Sequence, residues 1–249
     1  LMRHAVTQMK SGRPGPVMLE MPGDVMKTEY AGDEVEYTPV RRRESLASPE
    51  DVRELIEALL KSSSPIIVAG QGVLYSQAST ELVEFAELAQ LPVMTTLAGK
   101  SAFPENHPLA LGTGGLTAPL TVRRFLASTD FGLGIGTSFT RNTFTTPMPD
   151  GLTLGQVTNC GEDIGKDYEV GVGAVGEVRL VLQQMIEEYK RQDGPRQRGN
   201  GQGVAQKVAA VREEFNAEWE PRLTSDEVPI SPYRVFRELD LAFGDKIII

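Results

Sequence analysis

Four glycine-bearing segments carry the residue types that approach phosphates and nucleotides, and each makes a different demand on its surroundings. Gly171-Val172-Gly173-Ala174-Val175-Gly176 spells GxGxxG ahead of a helix-like stretch. A dinucleotide fingerprint also needs a full strand before it and a second strand closing on an acid about 20 residues later. That position falls in the polar run RQDGPRQRGNGQG, residues 191–203, so these glycines read as lying in and just after an inner strand. Gly99-Lys100-Ser101 imitates the end of a P-loop, but Met94 stands where the leading glycine belongs and the phosphate cradle is incomplete. Gly70-Gln71-Gly72 and Gly134-Ile135-Gly136-Thr137-Ser138 are better placed, at the carboxyl ends of expected parallel strands, where α/β sheets open to ligands. Glycine there either lets the backbone approach a phosphate or ribose, or merely turns the chain.

Other reactive types are scarce. Cys160 is the one cysteine, which excludes an internal disulfide and a cysteine-based zinc site. It has no histidine or other base near it in sequence and reads as a quiet buried thiol. His4 and His107 are too far apart for a local metal motif, and no Ser-His-Asp set can be assembled from them.

The elements that would position these segments alternate between two periods. Ser48-Pro49-Glu50-Asp51 starts a helix, with Asp51 at the capping-box position, and Val52, Leu55, Ile56, Leu59 and Leu60 build one apolar face up to Ser62-Ser63-Ser64-Pro65. Strands are expected at 66–69, 92–96, 131–136, 152–158 and 170–175. Helices are expected at 79–90, 119–128 and 177–190, with an irregular stretch over 99–115. Strands alternating with helices predict a Rossmann-like, doubly wound parallel sheet, α/β in class, over residues 40–190. Residues 191–203 read as a linker and 204–219 as a helix; Ser231-Pro232 opens another helix, and Ile247-Ile248-Ile249 begins a buried strand. Pro16 to Pro22 reads as a lone strand after a helix stub. Neither end closes a domain, so the chain is expected to be a piece of a longer one.

The chain has 249 residues and a formal net charge of −9, with 40% hydrophobic and 24% charged residues. This is the composition of a globular protein. Its charge argues against nucleic acid or an anionic membrane surface as partner. No apolar run approaches the roughly 20 residues needed to span a bilayer. A cytoplasmic location is the expectation.

The order of segments resembles the central part of thiamine-diphosphate-dependent enzymes of the acetolactate synthase and pyruvate oxidase type. Ser11-Gly12-Arg13-Pro14-Gly15-Pro16-Val17, continuing to Pro22-Gly23-Asp24-Val25, is similar to the end of that family's pyrimidine-binding domain. Pro65 to Val73 resembles the first strand of its central domain. Pro92 to Thr96, Gly99-Lys100, Phe103 to Pro108 and Leu111-Gly112 are similar to the signature that follows. Ile164-Gly165-Lys166 and Val175-Gly176-Glu177 match later landmarks, the last with Glu where Asp is usual.

The resemblance implies four segments: the end of a pyrimidine-binding domain with its linker (1–39), the central domain (40–190), a linker and helix (191–229), and the truncated start of a diphosphate-binding domain (230–249). It implies a parent lyase or transferase, a homodimer or homotetramer, in which thiamine diphosphate and Mg2+ are bound by residues outside this chain. There a thiazolium ylid attacks a 2-oxo acid or related small carbonyl substrate. No catalytic residue and no metal ligand is expected here. A candidate nucleotide cleft takes Gly70, Gly72, Gly136 and Thr137 from the strand ends, and Thr96 and Gly112 from the family-like signature. Relatives of this type bind FAD there, others bind another nucleotide or nothing. Thr137 stands where FAD binders carry Arg, and Thr158-Asn159-Cys160-Gly161 has no carboxylate for a ribose. Both departures count against FAD, while an FAD- or ADP-binding module is the alternative reading.

Overall fold

Residues 65–69 and 131–135 are buried at every position. They form the two central strands of a six-stranded, all-parallel sheet in the computed structural model, which describes residues 1–32, 38, 40–194 and 203–244. In chain order the described elements begin with α1 (Met2–Lys10), α2 (Gly23–Lys27), α3 (Pro49–Lys61), β1 (Pro65–Ala69), α4 (Gln71–Tyr75) and α5 (Ser79–Ala89). Next come β2 (Val93–Thr95), β3 (Ala110–Thr113), α6 (Leu120–Ser128), β4 (Phe131–Ile135) and β5 (Thr153–Thr158). After a 3-10 turn at Gly161–Asp163, the chain continues through β6 (Val172–Val175), α7 (Val178–Arg191), α8 (Val204–Leu223) and α9 (Pro232–Phe243). The strand order is β3-β2-β1-β4-β5-β6, so the sheet reverses direction of winding between β1 and β4.

Because side chains alternate along a strand, each strand feeds both faces. Ile67, Ala69, Leu133 and Ile135 pack under the apolar stripes of α3, α5 and α7. Ile66, Val68, Met94 and Leu154 pack on the other face with Val122 and Leu126 of α6 and Val208 of α8. The periodic positions read from the sequence in α3 (Val52, Leu55, Ile56, Leu59) and α7 (Val178 through Tyr189) are the buried ones. Ser48 stands at the N-cap of α3 with Pro49 behind it, but its side chain makes no capping bond.

The segment entering the domain is tied down by a buried carboxylate. Glu177, just ahead of α7, accepts from Arg42 Nη2 at 2.7 Å and from the Ser76 hydroxyl, while its own N–H donates to the Ser45 carbonyl at 2.9 Å. Arg42 also donates to the Tyr75 carbonyl at 3.1 Å. Removing one partner would leave the other charge desolvated and uncompensated, which makes this knot costly to break.

Several expectations are corrected. Pro16 to Pro22 is extended and largely exposed but pairs with no strand, and α2 follows it. Its prolines withhold amide donors that a ladder would need. The stretch 99–115 is not wholly irregular: Ala110–Thr113 is the edge strand β3, paired to β2 across a register shift at Val93/Met94. β6 is the opposite edge and not an inner strand. The first strand ends at Ala69, and Gln71–Tyr75 turns into the short α4. α8 extends past Trp219 to Leu223. Ile247 to Ile249 and residues 195–202 of the expected linker lie outside the described residues. No described helix is long and apolar enough to cross a membrane.

Leu133 is fully buried at the centre of the sheet and Leu241 on α9 is 67% exposed. Leu133→Ala is expected to lower the unfolding free energy by about 3 kcal/mol, and Leu241→Ala to change it by no more than about 0.5 kcal/mol. Urea titrations of the two variants check the contrast.

Candidate functional site

The carboxyl ends of β1 and β4 meet where the sheet changes winding direction, the place where open α/β sheets form a ligand crevice. Here the two strand ends cross backbone on backbone. A Cβ on Gly70 would sit 2.7 Å from the Gly136 carbonyl carbon and the Thr137 Cα, and one on Gly72 would sit 2.7 Å from the Gly136 Cα. Gly136 itself adopts φ +63 and faces the Val73 amide nitrogen at 2.7 Å from its missing Cβ. Only glycine fits these positions. The crossing is closed by two hydrogen bonds, Gly70 N–H to the Ile135 carbonyl at 2.8 Å and Gly72 N–H to the Gly136 carbonyl at 2.9 Å, while Gly136 N–H extends the β4–β5 ladder to the Val157 carbonyl at 2.8 Å.

Above the crossing lies a cleft of about 630 Å³. Gly70, Gly72, Thr96, Gly136 and Thr137 border it, five of the six residues singled out in the sequence. Gly112 does not; with φ +101 it packs against Pro119 and lines an adjoining cavity of about 590 Å³ over β3. The two spaces share Leu97, Gly114 and Phe144. Val68, Met94, Phe139 and Met148 supply the cleft's apolar surface. Phe139, held at φ +48, lays its ring edge-on to Tyr168 with centroids 6.4 Å apart.

Three threonines stand at strand ends around the cleft. Each accepts a backbone N–H and so keeps its own hydroxyl proton available: Thr96 from Gly99 at 3.1 Å, Thr137 from Phe139 at 3.2 Å, and Thr158 from Cys160 at 3.2 Å. Beneath them the buried Gln156 donates to the carbonyls of Thr137 at 3.0 Å and Asp163 at 3.1 Å, which fixes the two loops against each other.

Among the described residues, charge on the cleft lining is confined to one pair. Arg13 Nη1 meets Asp163 Oδ1 at 2.9 Å, with side chains 57% and 9% exposed. Asn159 Nδ2 donates to the Gly12 carbonyl at 2.9 Å, so the N-terminal segment is pinned over the end of β5. No carboxylate stands between Thr158 and Gly161; the structure supplies one further on, at Asp163, and directs it to Arg13. Neither residue was anticipated as part of the cleft. The signal available was the landmark Ile164-Gly165-Lys166, which Asp163 immediately precedes. Arg141 lies outside the lining, 4.4 Å over the Tyr168 ring, and its hydrogen bond to Tyr168 raises its pKa above the ordinary value.

The groups singled out in the sequence offer a diphosphate-bearing cofactor such as FAD little to hold. The glycine amides at the strand ends are engaged by carbonyls, and the one cation of the described lining is engaged by a buried carboxylate. In the adjoining cavity Lys100 is on Glu105 at 2.5 Å, and Arg212 donates to the carbonyls of Glu105, His107 and Ala110. Nor do the described residues fit a metal-diphosphate site, since no three His, Cys, Asp or Glu side chains among them cluster to hold an ion.

Comparison with known proteins agrees with this architecture. The family model for the thiamine pyrophosphate enzyme central domain matches residues 52–185, more than half of the chain. Glyoxylate carboligase of Escherichia coli O157:H7 is 30% identical over 99% of this chain, and a probable acetolactate synthase large subunit of Methanococcus aeolicus is 29% identical over 98%. In both cases the aligned part is 42% of the relative, so the chain spans about two fifths of their length. Among solved structures, benzoylformate decarboxylase from Polynucleobacter necessarius superposes with a TM-score of 0.58 at 27% identity, over 74% of this chain and 34% of that one. A protein from Mycobacterium smegmatis, 24% identical with a TM-score of 0.61 over 75% of this chain and 36% of its own, bears on the fold alone. The chain belongs to the thiamine pyrophosphate enzymes and carries their central domain.

Proposed function

We propose that this chain is the central, structural domain of an enzyme that uses thiamine diphosphate to decarboxylate or carboligate a 2-oxo acid or related carbonyl. The observation that carries the reading is the family match over the sheet and its helices, joined to near-complete coverage of this chain by glyoxylate carboligase. Thiamine diphosphate supplies the electron sink for breaking or making a bond beside a carbonyl. In this reading the cofactor and Mg2+ are held by parts of the parent other than this chain. The contribution of residues 40–190 is a rigid sheet, with the knot of Glu177 and Arg42 and the pair of Asp163 and Arg13 fixing the segment that leads into it.

The flanks support a place inside a larger assembly, which this reading takes as a homodimer or homotetramer of a cytoplasmic parent. Met18, Met21 and Met26 near one end, and Val228, Phe236 and Leu241 near the other, are exposed apolar side chains suited to burial against further protein. Flavin is not part of the reading: Thr137 stands where FAD binders carry Arg, and the one cation of the described lining, Arg13, is engaged by Asp163.

The full-length protein, supplied with thiamine diphosphate and Mg2+, is expected to release carbon dioxide from pyruvate or glyoxylate. Failure of a folded, cofactor-loaded sample to turn over any of pyruvate, glyoxylate and benzoylformate would overturn the reading. The 249-residue chain under the same conditions is expected to show no turnover. The purified full-length protein is further expected to be colourless; a stoichiometric flavin absorption band would contradict the account of the cleft.

A further inference from the structure

We infer that a third cavity, at the amino ends of β1 and β2, is a binding site for a small monocarboxylate with an apolar body. It lies at the end of the sheet away from the glycine crossing. The site belongs to this chain and is independent of the parent's chemistry.

The cavity measures about 380 Å³, the size of a small-molecule site. Pro65 and Ile66 at the start of β1 and Pro92 just ahead of β2 give it a buried apolar surface, with the half-buried Phe125 of α6 and Val211 of α8 beside them. The Ser63-Ser64 turn on the lining is held from behind. Asp130 accepts from the Ser63 amide at 2.7 Å and the Ser64 amide at 2.8 Å, and the Thr129 hydroxyl donates to the Ser64 carbonyl at 2.7 Å. A turn fixed before the ligand arrives lowers the ordering cost of binding. The hydroxyls of Ser63 and Ser64 make no hydrogen bond among the described residues, so both can donate to a ligand.

Charge sets the sign of the ligand. The cleft and its adjoining cavity each hold a carboxylate against a cation, Asp163 on Arg13 and Glu105 on Lys100. The third cavity carries Arg124 and Lys207 and no Asp or Glu on its described lining, in a chain of net charge −9. Lys207 of α8 is exposed and has neither an ion pair nor a hydrogen bond among the described residues. Arg124 of α6 engages Glu214 through Nη2 at 2.6 Å and leaves Nη1 and Nε without a partner there. A carboxylate can accept charge-assisted hydrogen bonds from these cations and neutral ones from the serines. The prolines and Phe125 then ask for an apolar body behind that head, which a bare inorganic anion lacks.

NMR titrations of the isotope-labelled 249-residue chain test the site with four probes: phenylacetate, its uncharged isostere phenylacetamide, acetate and inorganic phosphate. Phenylacetate is expected to shift the Ser63 and Ser64 amide signals with a Kd of about 1 mM or tighter, and the other three to bind about tenfold more weakly. No saturable shift with phenylacetate would overturn the inference. Phenylacetamide binding as tightly would remove the charge, and acetate or phosphate binding as tightly would remove the apolar body; each result would overturn it too. Lys207→Gln should weaken phenylacetate about fivefold. Lys166→Gln, an exposed lysine beyond the 3-10 turn at the carboxyl end of β5, should leave it unchanged. Equal losses in the two variants would mean attraction to positive charge in general, and an unchanged affinity in Lys207→Gln would mean that its ammonium holds no carboxylate. Either result would overturn the assignment.

Discussion

The backbone crossing of the β1 and β4 ends is the constraint on which the rest of the site depends. Two chains at this separation leave no room for a Cβ on Gly70, Gly72 or Gly136, and the approach is locked by the amides of Gly70 and Gly72. The sheet gains continuous pairing through its central strands to the last residue. The cleft gains a floor of closed backbone with few free polar groups. A loop that keeps its amides for a ligand must hold its backbone away from neighbouring carbonyls. Here the amides of Gly70, Gly72 and Gly136 make the opposite choice, and these three glycines serve the packing of the strand ends.

Two partly buried ion pairs extend this logic to the segments that enter the domain. Glu177 takes Arg42 at the foot of α7, and Asp163 takes Arg13 beside the cleft. In each case the carboxylate is the more buried partner, so the arginine is held mainly because its loss would leave a desolvated negative charge. Such a loss costs about 3 kcal/mol in buried pairs. The same two contacts that anchor chain preceding α3 also remove positive charge from the space around the cleft.

Much of the fold was legible because it rests on long periodic stretches. The 3.6-residue pattern of α3 and α7 and the apolar runs of β1, β4 and β5 are strong local signals, and they place the parallel sheet and the strand-end glycines. What stayed hidden has a common cause. β3 is four residues long, contains Gly112, and pairs through a bulge, so it has no alternation to read. The glycines of the crossing look the same in sequence whether they admit a phosphate or another backbone; only the carbonyls across from their amides distinguish the two. The Arg13–Asp163 pair joins residues 150 positions apart, which no local pattern reveals. The extended run from Pro16 to Pro22 misled for the converse reason, since its composition suits a strand but no strand among the described residues accepts it.

Amide hydrogen exchange at Gly70, Gly72 and Gly136 tests the central claim most directly. If these amides close the crossing and extend the β4–β5 ladder, they exchange as slowly as those of β1 and β4, because they open only with the sheet. Exchange at the rate of exposed loop amides would mean that they are free to meet a phosphate, and would contradict the account.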